Sequence, residues 1–221
     1  SGERGRLLTF DLDRWSPERE LRGHTGPVLG VSWTHDGRIL SCGSDKTVRV
    51  FNGQTGEETL RIEGLDTSAQ KVAMAPDGET IIALCRENLV FCDPRSGKTA
   101  MRVLASGHCL AYQPGFPHNV LFAQPTNLHL SRTPKMAIGK VHDFPLKSPQ
   151  YGAFSPDGKS IVVSFGVQIN PVMLDTTTPL ERCQFSGAPT EINSMAVSHN
   201  GLVAGAGKDH RIYLWMVPKL P

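Results

Sequence analysis

Residues 95–99 read RSGKT and end like a phosphate-binding loop, in which backbone amides and a lysine surround a phosphate. That pattern requires a glycine at position 92, where the sequence has Cys92, and no helical segment follows. Residues 54–57, QTGE, stand at the matching position of another repeat of the chain. We therefore interpret residues 95–99 as a turn between two strands.

Histidine and cysteine are the other residues that could hold a metal or attack a substrate. No two of the eight histidines lie at i, i+2 on a strand or at i, i+4 on a helix with an acidic neighbour. The five cysteines form no CxxC pair, and their odd number favours free, mostly buried thiols in a reducing compartment. No Gly-x-Ser-x-Gly elbow or isolated carboxylate pair is present. We therefore expect no catalytic residue, metal site, cofactor or small-molecule substrate.

The charge pattern gives no indication of a nucleic-acid or membrane partner. Lysine and arginine number 23 against 21 acidic residues, and the two signs are interspersed along the chain. No apolar stretch approaches 18 residues, and no basic-then-apolar leader begins the sequence. We expect a soluble intracellular protein, with cytoplasm and nucleus left undecided.

A repeat of about forty residues organises the strands. Turn glycines stand at positions 37, 78, 115, 158 and 201, at intervals of 41, 37, 43 and 43 residues. An alternating apolar run precedes each turn and a small or β-branched run follows it, which predicts a hairpin. Two further apolar runs follow in most copies. Four short strands per repeat without helices predict the blades of an all-β propeller, and a β-sandwich is the alternative.

The clearest copy begins with Gly23-His24, continues through PVLGVSW, HDG and RILSCGSD, and ends with KTVRVFN. It resembles a WD repeat, with Phe51 where that family has tryptophan. The resemblance implies that His24, Ser41 and Asp45 hydrogen-bond in series within the blade. Since Phe51 lacks an indole N–H, we expect the series to stop at Ser41. The last copy keeps an aspartate and a tryptophan at the matching positions but has Ala188 in place of the histidine.

The repeat predicts six segments. They are residues 1–22 (last strands of a preceding blade, or strands that close the ring), 23–63 (a WD-repeat blade), 64–106, 107–145 and 146–186 (degenerate blades), and 187–221 (a final WD-repeat-like blade). About five blades and a partial one are thus expected. By resemblance they form part of a seven-bladed ring, unless residues 7–22 close a smaller one.

The resemblance implies a non-enzymatic scaffold for protein–protein interaction within an intracellular multiprotein complex. Two alternatives stay open: a component of an RNA–protein assembly of the RNA-processing or ribosome-biogenesis type, and a propeller-fold hydrolase. In this family the loops entering the first strand and joining the second and third strands contact partners. Carried onto this chain, the expected partner-binding residues are Thr25, Pro27, Ser44, Arg86, Glu87, Glu191 and Lys208.

Overall fold

Alternating apolar runs joined by glycine turns form antiparallel hairpins along the chain. The computed structural model describes residues 5–217, apart from 12, 15, 105–107, 117, 124–126, 133–138, 145, 147–148, 166–169, 179, 188–189 and 199. Within that part, the secondary structure consists of β-strands without an α-helix. The chain divides into two compact units, residues 1–106 and 107–221.

The first unit contains three antiparallel sheets whose strands follow chain order. The first sheet pairs β1 (Leu7–Asp11) with β2 (Ser16–Leu21). The second contains β3 (Val28–Trp33), β4 (Arg38–Gly43), β5 (Val48–Asn52) and β6 (Glu58–Ile62). The third contains β7 (Ala69–Met74), β8 (Ile81–Cys85), β9 (Asn88–Cys92) and β10 (Thr99–Leu104).

The second unit contains three more sheets of the same design. The first contains β11 (Leu110–Tyr112), β12 (Asn119–Ala123), β13 (Leu128–Arg132) and β14 (Gly139–Phe144). The second contains β15 (Pro149–Phe154), β16 (Ser160–Phe165), β17 (Val172–Asp175) and β18 (Glu181–Gln184). The third contains β19 (Ile192–Val197), β20 (Leu202–Gly207) and β21 (Ile212–Met216). The predicted all-β fold of four-stranded antiparallel blades is confirmed, and each sheet lies within one of the six predicted segments.

Glycines of the repeat occupy equivalent turns between the first and second strands of their sheets. Gly37, Gly78, Gly158 and Gly201 all have positive φ angles, between 69° and 82°. Each donates its N–H to the carbonyl three residues earlier. Glycine adopts a positive φ at little energetic cost because it has no Cβ, which explains why it recurs at this turn.

Two of the second strands, β8 and β16, are buried on both faces, and within the first unit the β3–β6 sheet covers the β7–β10 sheet. Every residue of β8 and β16 is buried, whereas the outer strands β6 and β10 alternate with exposed positions. Side chains of β4, β5, β8 and β9 share one apolar cluster. Stacked sheets therefore explain why the second strands read as continuous apolar runs instead of alternating ones.

Candidate functional site

Two loops meet at one end of the β3–β6 sheet, the end opposite the Gly37 turn. The β2–β3 connection enters the first strand, and the β4–β5 turn joins the second strand to the third. The Ser44 N–H donates to the Pro27 carbonyl at 2.9 Å, which joins the two loops. Lys46 takes a left-handed conformation, with φ of 61°, to complete the β4–β5 turn. We call this end of a sheet, with its two loops, the rim.

A buried histidine lies beneath the rim. The imidazole of His24 contacts Asp45 Oδ2 through Nδ1 at 2.8 Å and Ser41 Oγ through Nε2 at 2.7 Å. A neutral ring that donates Nδ1–H to the carboxylate accepts the Ser41 hydroxyl proton at Nε2. The structure thus brings together the three residues that the WD-repeat resemblance implied. Phe51, which has no N–H to offer, is buried in an apolar cluster.

Asp45 joins both loops through further hydrogen bonds. Its carboxylate accepts the Thr25 N–H at 3.1 Å, and the N–H and hydroxyl of Thr47 at 3.2 and 2.9 Å. Burial raises the pKa of Asp45, but the hydrogen bonds from His24, Thr25 and Thr47 outweigh it and hold the pKa below the usual value of 3.8. The carboxylate is therefore ionised at neutral pH and fixes the conformation of both loops.

The polar network extends sideways to a buried arginine, a continuation that the sequence reasoning missed. Arg49 Nε donates to Thr47 Oγ1 at 3.3 Å, and the buried guanidinium forms an ion pair with Glu58. Arg61 Nε contacts the same carboxylate at 3.1 Å. Burial raises the pKa of Glu58, but the two arginines hold it below its ordinary value. The sequence does carry one signal for this continuation, which is a charged residue between two valines in the strand VRVF. A buried charge needs a partner, so this arginine predicts an ion pair.

The predicted partner-binding residues of the first unit lie on the rims of two sheets. Thr25, Pro27 and Ser44 are exposed beside the half-buried Asp45. Arg86 and Glu87 are exposed in the β8–β9 turn. The Arg86 N–H donates at 3.3 Å to the hydroxyl of Thr67 in the β6–β7 connection, so the same two loops are joined in this sheet as well.

The last sheet, in the second unit, repeats the loop pairing. The Lys208 N–H donates to the Glu191 carbonyl at 3.0 Å, which matches the bond between Ser44 and Pro27. The side chains of Lys208 and Glu191 also form an ion pair with each other, which the sequence reasoning did not anticipate.

No histidine series forms on that last sheet within the described residues. Asp209 accepts the Tyr213 hydroxyl at 2.5 Å, and the Trp215 indole donates to the Ser186 carbonyl at 2.8 Å. Gly205 stands at the register position of Ser41, and a Cβ there would lie 2.8 Å from the Trp215 ring. Ala188, which replaces the histidine in the sequence, lies outside the described residues.

Comparison with known proteins gives the same repeat. Residues 15–52 match the family model described as WD domain, G-beta repeat. Coronin-7 of Rattus norvegicus is 31% identical over 84 residues, which cover 37% of this chain and 9% of that protein. Apoptotic protease-activating factor 1 of Mus musculus is 48% identical over 44 residues, which cover 20% of this chain and 4% of that protein.

A solved structure extends the likeness to almost the whole fold. A chain of the crystal structure of the mitotic checkpoint complex superposes with a TM-score of 0.83, and the match covers 97% of this chain and 69% of that one. The sequence identity is 16%, so this likeness concerns the fold alone. Our chain contains a WD repeat in residues 15–52, and its sheets are the blades of a β-propeller fold. It spans only about a tenth of the curated relatives that it matches, so what it shares with them is the repeat.

The described part of this chain contains no group of three or more His, Cys, Asp and Glu placed to hold a metal ion. Its five cysteines form no disulfide bond with one another, and four of the five are buried. Burial raises the pKa of Cys42 to about 12 and that of Cys92 to about 11, so both remain protonated thiols at neutral pH.

The part of the chain that the structure describes contains no helix long and apolar enough to cross a membrane.

Proposed function

We propose that this chain is a non-enzymatic scaffold that binds other proteins of an intracellular assembly through the rims of its sheets. The observation that carries the proposal is the anchoring of exposed loops by buried polar groups. Thr25 and Ser44 are exposed, while Asp45 between them is held by the buried His24. A rigid loop loses little conformational entropy on binding, so such a rim is suited to protein recognition.

The rims combine charged, polar and apolar exposed side chains. Thr25, Pro27 and Ser44 are neutral, whereas Arg86 and Glu87 carry opposite charges. The described residues offer no hydrogen-bond or ion-pair partner to the Arg86 side chain, so its guanidinium is available to an acidic or carbonyl group of another protein. Arginine is enriched among the residues that dominate binding energy at interfaces.

The RNA-binding alternative gains no support from the charge arrangement. Glu20 lies between two arginines, at 3.0 Å from Arg6 and 3.2 Å from Arg22. Such pairs leave little unbalanced positive charge to attract phosphates. We therefore retain protein partners as the proposal.

The experiment is affinity purification of the tagged chain, followed by quantitative mass spectrometry. Arg86→Glu should deplete the proteins bound through the rim at least tenfold, which corresponds to about 1.4 kcal/mol. Lys98→Glu is the matched control, since Lys98 is exposed at the opposite end of the same sheet. Both variants should keep the wild-type melting temperature. Binding that survives Arg86→Glu and is lost in Lys98→Glu would place the binding surface at the end of the sheet opposite the rim, and would contradict the proposal.

A further inference from the structure

Two asparagines of this chain are followed directly by glycine, Asn52 by Gly53 and Asn200 by Gly201. An asparagine in such a pair can lose its side-chain amide without an enzyme, because the next backbone nitrogen can attack its side-chain carbonyl carbon. Glycine favours this attack, since it has no Cβ to restrict the rotation of the backbone. Folding then decides the rate, because it fixes the orientation of the two reacting groups.

The side chain of Asn52 is fixed by the β5–β6 turn. Its Oδ1 accepts the N–H of Gln54 at 2.8 Å and the N–H of Thr55 at 3.0 Å. Gly53 donates its N–H to the Gly37 carbonyl at 3.0 Å, and a Cβ on Gly53 would clash with that same carbonyl oxygen. Both the carboxamide and the attacking nitrogen are therefore held in place by tightly packed backbone.

The side chain of Asn200, in the β19–β20 turn, has more freedom. It is exposed, and its Oδ1 accepts the Ser198 hydroxyl but no backbone N–H of the described residues. The Gly201 nitrogen donates to the Ser198 carbonyl at 3.1 Å, so the two attacking nitrogens are bonded alike. In the described chain, a Cβ on Gly201 would meet nothing closer than Val217, at 3.7 Å. The Asn200 carboxamide and the backbone beside it therefore have room to rearrange.

The exposure of Asn200 is shared by the equivalent positions of other sheets. Asp36, Asp77 and Asp157 precede the turn glycine in the same way, and all three are exposed. Asp77 belongs to the complete β7–β10 sheet, which has further sheets before and after it along the chain. The exposure of this position is thus a property of the repeat, and solvent water reaches it.

We infer that Asn200 is a site of spontaneous deamidation, and that the fold protects Asn52 from the same reaction. The Gly201 nitrogen gives up its proton and bonds to Asn200 Cγ, the Cγ–Nδ2 bond breaks, and the amide nitrogen leaves as ammonia. Water then opens the resulting succinimide ring. Its attack at Cγ yields aspartate, and its attack at the Asn200 backbone carbonyl carbon yields isoaspartate. Water is the co-reactant, and the inference does not depend on the proposed function.

The two products differ in their effect on the turn. An aspartate at position 200 would match Asp157, whose Oδ1 accepts the Ser155 hydroxyl and, at 3.0 Å, the Lys159 N–H. This product is therefore compatible with the hairpin. Isoaspartate carries the main chain through the β-carbon, which lengthens the backbone and displaces the Gly201 N–H from its acceptor. We expect isoaspartate to break the turn, whereas aspartate preserves it.

The test incubates the intact 221-residue chain in mildly alkaline buffer and follows both asparagines by tandem mass spectrometry. Trypsin releases Asn52 in the peptide 50–61 and Asn200 in the peptide 183–208, where fragment ions separate it from Asn193. We expect Asn200 to deamidate at least tenfold faster than Asn52. Methylation by an L-isoaspartyl methyltransferase should detect the isoaspartate product. Asn200→Gln should abolish both signals at this position, because the longer side chain would have to close a larger ring.

The same chain unfolded in guanidinium chloride is the matched control. There we expect Asn52 and Asn200 to deamidate at similar rates, because both precede glycine and the fold no longer separates them. Three results would overturn the inference: no deamidation of Asn200 in the folded chain, equal rates at the two asparagines in the folded chain, or a difference that persists after unfolding.

Discussion

Asp45→Ala removes the acceptor that joins both rim loops of the β3–β6 sheet. Its side chain is 5% exposed and that of His24 is 1% exposed, so water cannot readily replace the bond between them. After the change, the N–H of exposed Thr25 and the hydroxyl of half-buried Thr47 can hydrogen-bond to water instead. The main loss is therefore the 2.8 Å bond of one buried imidazole N–H, which keeps only a long contact of 3.4 Å with the Thr47 hydroxyl.

A buried donor left unsatisfied costs about 1 to 3 kcal/mol. We expect Asp45→Ala to lower the free energy of unfolding by about 2 kcal/mol, which lowers Tm by about 4 to 8 °C in a chain of this size. Urea denaturation followed by tryptophan fluorescence measures the first quantity, and thermal melting the second. Asp93→Ala is the control, because Asp93 accepts the Arg95 N–H and the Ser96 hydroxyl in an exposed turn.

A double-mutant cycle isolates the bond from other effects of the change. His24→Ala and Asp45→Ala in combination should show a coupling of about 1 to 3 kcal/mol, since the two side chains are in direct contact. Either of two results would contradict the role of this bond. One is that Asp45→Ala lowers the free energy of unfolding no more than Asp93→Ala does, and the other is that the double-mutant cycle shows no coupling energy.

Three further changes have defined outcomes. The wild type should have a larger free energy of unfolding than Asp45→Asn, and this difference should be complete above the usual aspartate pKa of 3.8. It should shrink as the pH falls through the lower pKa of Asp45 in the folded chain, and urea denaturation at pH 7 and pH 3 measures the change. Gly205→Ala should destabilise by about 1 to 3 kcal/mol, because its Cβ would lie 2.8 Å from the indole ring of Trp215; an unchanged Tm would contradict this contact. Gly37→Ala should cost about 1 kcal/mol for its positive φ alone, because nothing lies within 4 Å of the new Cβ. Gly158→Ala should cost more, since its Cβ would also lie 2.5 Å from a backbone carbonyl oxygen, and equal melting temperatures would refute the difference.

The order of the strands and the series of His24, Ser41 and Asp45 could be predicted from the sequence because their signals are local. A turn that needs positive φ selects glycine directly, so evenly spaced Asp-Gly and Asn-Gly pairs indicate the hairpins. The series lies within one repeat, in which the histidine and the aspartate are 21 residues apart, so a motif match was enough to find it. What a motif match could not reveal is the route through Arg49 to Glu58, because those residues vary between the copies of the repeat.

Tertiary structure alone decided which apolar positions are covered. Val31 and Val72 are the same residue at the same place in the repeat, yet one is 47% exposed and the other 6%. Local sequence cannot separate them, because burial depends on whether two strands of another sheet lie on that face. The pairing of Lys208 with Glu191 is a different case, since the repeat places both loops at one end of the sheet but does not specify that these two side chains form an ion pair. Coverage of a sheet face depends on segments distant in sequence, whereas turns and strand order arise within one repeat.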